Sequence, residues 1–445
     1  MPNLFQRLTV RAWPRGIAIG ALLLLLLAAC GGGGGGGGVF FSISVTVNGL
    51  SGTGLVLRVN GVNSLPVMSD GVATFASALP TGAAYVITVA AAPATPTQVC
   101  LVTNGTGTVA ANPVTNVVVT CHNVATAAYV VNLGSDTVSQ FHVGVDGNLT
   151  AMTPPTVPTG LAPSGIALDP GGRFAYVSND DGTVAQFTIG ADGRLTPMVP
   201  ATVLAGLNPT GVTVSPSGAN AYVSNDNGTV SQYAIGADGR LSALAPATVP
   251  TGLAPSAPVI DPTGRFAYVA NSDGNSVSQF NIALDGRLTP MAIPAVLAGL
   301  SPAMLSIDPT GQFVQATNFD GGTVSNYRIG VDGSLSANGA ATIVGTQPVG
   351  IVHHPNGRDA YVANFGGNAI GFLQLAPGGA LVSVAAPDST FVNGPIMLAI
   401  ERTGRFAYAT TSSNMVVRYM IDSDGRLQAP TSTGTGVFPV GIALR

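Results

Sequence analysis

Beyond roughly the first forty residues, apolar and polar positions alternate in short runs with a period of two, and no long segment keeps a helical period. Residues 165–198 show the unit most plainly. Residues 165–168 form an apolar run stopped by Asp169-Pro170, because proline has no N–H to give to a ladder. Residues 174–178 and 183–189 are two further runs. Gly190-Ala191-Asp192-Gly193 then supplies the positive-φ positions of a tight hairpin before a fourth run at Leu195. The unit recurs to the last residue. Its tyrosine returns at Tyr129, Tyr176, Tyr222, Tyr268, Tyr361 and Tyr408, with Gln315 in the remaining slot, at steps of 46 or 47 residues. Seven copies of four β runs predict a seven-bladed β-propeller, one four-stranded blade per copy.

One detail predicts how the ring closes. The first copy begins at its second strand, residues 128–132, whereas Pro439-Val-Gly-Ile-Ala-Leu-Arg445 repeats Pro163-Ser-Gly-Ile-Ala-Leu-Asp169. The last strand should therefore complete the first blade and remove two open sheet edges.

Between residues 39 and 124 the alternation continues without the long period. Runs at 43–47, 55–59, 72–75, 85–89, 98–102 and 114–120, separated by Gly and Pro turns, predict a small immunoglobulin-like β-sandwich. The fold class expected is thus all-β, with the sandwich at 39–124 and the propeller at 125–445.

The first thirty residues differ from everything after them. Arg7, Arg11 and Arg15 precede an apolar stretch at 16–27 that is too short for a spanning helix, followed by Leu27-Ala28-Ala29-Cys30. This resembles the bacterial lipoprotein lipobox, which implies a signal peptide at 1–29, lipidation of Cys30 and membrane attachment through the lipid. Gly31, where an aspartate would imply inner-membrane retention, points to the outer membrane, facing the periplasm or the surface. Residues 31–38 are eight glycines, a flexible tether of roughly 15 Å end to end. In an exported chain Cys100 and Cys121 are expected to form a disulfide worth roughly 3 kcal/mol. With His122 alone beside them, they would leave a zinc ion one ligand short.

Composition narrows the functional classes. Charged residues are only 8 % of the chain, the net charge is −4 and every basic residue is arginine, so there is no basic field for nucleic acid. No metal or other cofactor is expected, and a monomer is.

The Tyr-Val-Ser-Asn, Tyr-Val-Ala-Asn and Tyr-Val-Val-Asn cores and the Asp-Pro-x-Gly-Arg-Phe turns resemble the seven-bladed lactonase-like family, which includes a bacterial 6-phosphogluconolactonase and merges into the tyrosine-valine-threonine-asparagine repeat proteins. The resemblance covers about residues 126–445. It implies the fold, and for the enzymatic members it implies catalysis at the mouth of the central channel by histidine, carboxylate and arginine. No motif here assigns those roles, so the catalytic residues are unknown. Glu401 is the only glutamate, His353 and His354 stand where other copies end in the Asp-Pro turn, and His142 lies in a third strand.

Blade topology sorts the remaining polar residues. First-to-second and third-to-fourth strand turns share one face of the disc, and these turns carry Arg173, Arg194, Arg240, Arg265, Arg287, Arg358, Arg402, Arg405 and Arg426. The opposite face, where propellers usually bind ligands, holds the second-to-third loops and the blade crossings. It offers no arginine for a phosphate, which speaks against a phosphorylated lactone. That face carries Asn132, Asn179, Asn225, Asn271, Asn318 and Asn364, with Thr411 in the seventh slot, and beside them Asp136, Asp180, Asp181, Asp226, Asp273 and Asp320. Such residues shape loops through bonds to the backbone. They also form a candidate ligand rim for a sugar, a cationic peptide or a divalent ion. Asp422-Ser-Asp-Gly425 has the opening of a calcium loop without its later ligands and reads as a turn. The sequence thus favours a lipid-anchored platform that binds or scaffolds a protein or carbohydrate partner. The alternatives are a hydrolase of a small unphosphorylated lactone and an assembly factor that holds a polypeptide.

Overall fold

The structure, a computed structural model, describes residues 39–94, 98–123, 126–384 and 390–445. Cys30, the signal-like segment before it and the glycine tether lie outside the described residues.

Residues 40–123 build two four-stranded sheets. In one, the order is Gly71–Thr74, Ile43–Asn48, Val114–Asn123 and Gln98–Thr103; in the other it is Asn63–Val67, Leu55–Val59, Ala84–Ala91 and Thr106–Thr108. Alternation places Ile43, Val45, Val47, Leu55, Leu57 and Val59 in one core between the sheets, all buried. All six expected runs are strands, and Asn63–Val67 and Thr106–Thr108 are additional. Cys121 lies directly across from Cys100 in the antiparallel register. The two form a disulfide with Cα atoms 3.9 Å apart.

From Ala127 onward seven sheets follow, each running from an innermost strand to an outermost one. Blade 2 has Pro163–Leu168, Phe174–Asn179, Thr183–Ile189 and Leu195–Leu204 in that order. In blade 1 the innermost place is taken by Pro439–Leu444, antiparallel to Ala127–Asn132, with Ile442 opposite Val130. Every residue of each second strand is buried, because a blade packs on a neighbour at both faces and even its short apolar side chains have somewhere to go. Blade 4 departs from the pattern. Its innermost strand shrinks to Val259–Ile260 and begins just after Pro258, which sits where blade 2 has Ile166.

The innermost strands crowd the axis at the end nearer the crossings. A Cβ added to Gly211 would come within 2.5 Å of the Ala257 Cβ, and one on Gly350 within 2.6 Å of the Ile396 carbonyl. That approach is why Gly211 and Gly350 are glycines. The strands diverge toward the opposite face, where the channel opens.

The blades are latched in sequence by the tyrosine that sets the period. Tyr129 donates to the carbonyl of Gly193 in the next blade, and Tyr176, Tyr222, Tyr268 and Tyr361 do the same to Gly239, Gly286, Gly333 and Gly425. Tyr408 bonds Gly147 at 2.8 Å and so joins blade 7 to blade 1. Burial raises the ionisation of these phenols well above its ordinary value, which keeps every one of them a donor. A second set of latches was not legible in the sequence. Gln140, Gln186, Gln232 and Gln279 each accept the backbone N–H of a leucine in the next blade and donate to a carbonyl of their own outermost strand. The repeated Ser-Gln and Ala-Gln pairs of the third strands are the signal that could have found them.

Candidate functional site

On the crossing face, the six asparagines are not a rim. They are between 0 and 3 % exposed. The amide of Asn225 donates to Thr229 and Ser231 of the third strand, while its carbonyl accepts the N–H of Gly206 in the crossing. Asn271 repeats this with Ser276, Ser278 and Gly252, and Asn318 with Thr323, Ser325 and Gly299. Asn179 bonds Thr183 and Thr159, Asn132 donates to Thr137 and Ser139, and Asn364 donates to the Val344 carbonyl. In blade 7, Thr411 bonds Ser413 and the Met415 carbonyl from the same slot. These amides fasten the loops, and in blades 2 to 6 the crossing that enters the blade, so Asn132, Asn179, Asn225, Asn271, Asn318 and Asn364 come off the candidate rim. The physical reason is that an asparagine at the buried end of a strand meets orphan backbone groups before it meets solvent.

The aspartates divide. Asp136 is half-buried and accepts the Ala162 N–H at 2.7 Å. Asp180, Asp181, Asp226, Asp273 and Asp320 are exposed. Asp181 caps its own loop through Thr183 and reaches the Leu161 N–H, and Asp320 accepts from the Ser301 hydroxyl. Of the candidate rim, only Asp181, Asp226, Asp273 and Asp320 stand at the surface. Among the described residues, no cluster of three or more His, Cys, Asp or Glu side chains could hold a metal ion.

A cavity of about 770 Å³ lies on the other face, where the innermost strands diverge. Ile166, Leu168, Val352 and Ile400 form apolar walls, and Arg402 and Arg445 stand at its edge. Arg445 donates to the Gly190 carbonyl at 2.8 Å, and Arg402 is exposed. The sequence-based case against a phosphorylated ligand assumed the crossing face, so it does not extend to this cavity, which has two guanidinium groups. Asp169 also contributes to the lining, but its carboxylate accepts the N–H groups of Arg173 and Phe174 and pairs with the Arg173 guanidinium. Asp261 and Asp308 likewise use both oxygens inside their own turns, on Thr263, Arg265 and Phe266 and on Thr310, Gln312 and Phe313. These carboxylates are buried, and Asp261 holds the backbone of Arg265, whose Nε donates to Thr263. At the Asp422 hairpin, the Asp424 and Arg426 N–H groups hold that carboxyl below its ordinary value, as a turn requires.

The two adjacent histidines have different roles. His354 fills the aspartate slot: Nδ1 accepts the Asn356 N–H and Nε2 donates to the Gly404 carbonyl. His353 is buried and lies 2.7 Å through Nε2 from Gln315 Oε1, and burial pushes its pKa down to about 4, so the ring is neutral. Gln315 replaces the latch tyrosine, and its amide donates to the Gly379 carbonyl at 3.4 Å. Its extra acceptor needs a donor, and the neutral imidazole supplies one. The sequence showed both oddities without showing that they face each other. His142 is exposed on a blade flank. Blade 7 substitutes Arg418 for the glutamine latch, reaching the Asp146 carbonyl of blade 1 at 2.6 Å.

Comparison with known proteins agrees with this architecture. The family model described as lactonase, seven-bladed β-propeller, matches residues 96–297, from the last strands of the sandwich through blade 4. Among solved structures, a putative 6-phosphogluconolactonase from Bacteroides fragilis superposes with a TM-score of 0.62 at 19 % identity, over 72 % of this chain and 97 % of its own. The Pseudomonas aeruginosa periplasmic gluconolactonase PpgL gives 0.57 at 20 % identity, over 72 % and 98 %. A Lactobacillus plantarum protein gives 0.62 at 18 % identity, over 72 % and 99 %. No curated protein matches. The propeller is thus a lactonase-type seven-bladed propeller in fold, and at these identities the likeness extends no further than the fold.

Proposed function

We propose that the chain is a lipid-anchored protein of the cell envelope whose propeller is a binding or scaffolding platform. The observation that carries this reading is the fate of the repeated polar residues. Asparagine and tyrosine in almost every blade, glutamine in blades 1 to 4, and the turn carboxylates Asp169, Asp261 and Asp308 are engaged in holding the blades and their loops, leaving surfaces rather than a convergent acid and base. Export is supported by the lipobox-like segment and by the Cys100–Cys121 disulfide, a bond typical of oxidising compartments. With two or more acyl chains on Cys30 the attachment would be durable, and the tether would leave the folded part free to turn. The outer membrane is the expected site.

A second reading rests on the cavity beside Arg402 and Arg445, which has room for a small lactone or the sugar acid made from it. The PpgL propeller is described as a periplasmic gluconolactonase, and this chain would then act on a related substrate.

Two measurements separate the readings. Photo-crosslinkers placed in cells at positions on each face should give discrete adducts from at least one face if the protein is a platform; adducts from neither would overturn it. Lactone opening followed by proton release, with Arg402→Ala as control, should show no protein-dependent rate under the first reading. A rate abolished by that change would establish the second.

A further inference from the structure

The crossing face is built from the same parts in blade after blade, and its outermost layer is apolar. Leu161, Leu207, Leu253, Leu300 and Val437, from five of the seven crossings, are 51 to 67 % exposed. Leucine at these turns is not required by the backbone: the residue after it takes the positive φ in blades 2 to 5, at Ala162, Asn208, Ala254 and Ser301, and the glycine before it packs on the buried asparagine. The tight approach of the innermost strands gathers these loops around the axis, so their side chains crowd one annulus rather than lying scattered.

Over blades 2 to 5 each leucine has an acid beside it. The Asp180 N–H bonds the Leu161 carbonyl at 2.9 Å, with Asp181 reaching the Leu161 N–H, and the Asp226 N–H bonds the Leu207 carbonyl at 3.1 Å. Asp273 follows Ser272, whose N–H bonds the Ala254 carbonyl next to Leu253, and Asp320 holds Ser301 next to Leu300. No arginine of the propeller lies in a second-to-third loop or a crossing, and the chain has no lysine, so nothing on this arc balances the acids. The opposite face has exposed apolar side chains too, at Val145, Leu284 and Val331, but there they stand among arginines.

We infer that the arc of leucine–aspartate pairs over blades 2 to 5 docks a cationic amphipathic polypeptide segment, whose apolar side covers the leucines and whose Lys or Arg side chains meet the aspartates. This rests on the platform reading and gives it a partner chemistry. An anionic lipid surface is disfavoured by the same acids, and a second copy meeting this face like-on-like would set acid against acid.

The test uses the full chain and a fluorescent synthetic peptide made of leucine and lysine on a helical repeat, with its leucine–glutamate twin. The lysine peptide should bind, at least about tenfold more tightly than the twin and less tightly as salt rises. Leu161→Ser/Leu207→Ser/Leu253→Ser should weaken it at least about tenfold with the melting temperature unchanged, since these side chains are exposed. Asp181→Asn/Asp226→Asn/Asp273→Asn should weaken it mainly at low salt and flatten the salt dependence. Val145→Ser/Leu284→Ser/Val331→Ser on the other face should leave it unaltered. Equal binding of the twin, equal loss with the opposite-face triple, or self-association abolished by the leucine triple would overturn the inference. Crossing-face adducts in cells with a partner that is not cationic would overturn it while leaving the platform reading intact.

Discussion

The two faces of the propeller are built alike beneath and differently on top. Under the crossing face, buried asparagines hold the loops; under the turn face, buried Asp169, Asp261 and Asp308 and half-buried His354 hold them. In both cases a short polar side chain accepts or donates to backbone groups that a strand end would otherwise leave without partners. Above this shared layer, one face exposes leucine and aspartate and the other exposes arginine stacked on phenylalanine, with the Arg173, Arg265 and Arg405 guanidinium carbons each 4.9 Å from a ring centroid. The comparison teaches that a polar residue repeated in every blade marks construction. What distinguishes the faces is the layer that construction does not use.

The largest expected effect comes from opening the ring. Deleting residues 439–445 removes the strand that pairs with Ala127–Asn132 and exposes the packing on both sides of blade 1. The propeller should then unfold cooperatively at a melting temperature lower by ten degrees or more, or fail to accumulate, as followed by circular dichroism. A truncated chain melting where the intact one does would show that the seam bears no share of the ring's stability.

Next come the two layers of the turn face. Asp169→Ala strips partners from the buried N–H groups of Arg173 and Phe174 and should cost about 2–3 kcal/mol in denaturant unfolding. Arg173→Ala removes a guanidinium that is 66 % exposed and should cost no more than about 0.5 kcal/mol after solvent screening. Equal costs would erase the distinction between the buried layer and the exposed one. Tyr222→Phe, leaving the Gly286 carbonyl buried without its donor, should fall between them at about 1–2 kcal/mol.

The remaining effect is confined to acid pH. His353 is held neutral in the folded chain, with its pKa pushed down to about 4, whereas in the unfolded chain it takes up a proton near its ordinary 6.5. Between those values the unfolded state binds more protons, so this residue's contribution to stability declines as pH falls from about 6.5 toward 4. His353→Leu/Gln315→Tyr, which restores the pattern of the other blades, should flatten that part of the melting curve against pH without altering it above pH 7. An unchanged acid limb would mean that other groups govern it.

Much of this was legible in the chain. The recurrence of tyrosine at 46 or 47 residues counted the blades, and Asp-Pro and Asp-Gly placed the turns, because each is a local requirement of strand or hairpin geometry. Glutamine in the third strands and His353 opposite Gln315 were not legible as partners. Their bonds cross from one blade to the next over 38 to 56 residues, a distance at which alternation carries no register.

The amino-acid sequence by itself determined the seven blades and their strands and the sorting of the turn arginines to one face, since these follow from periodicity and chain direction, and it offered Cys100 and Cys121 as a pair. Only the tertiary structure decided which polar residues are consumed. The asparagines vanish into the blades, the channel widens on the arginine face, and the leucines are left outside, because burial depends on how closely neighbouring sheets approach and no single blade contains that distance.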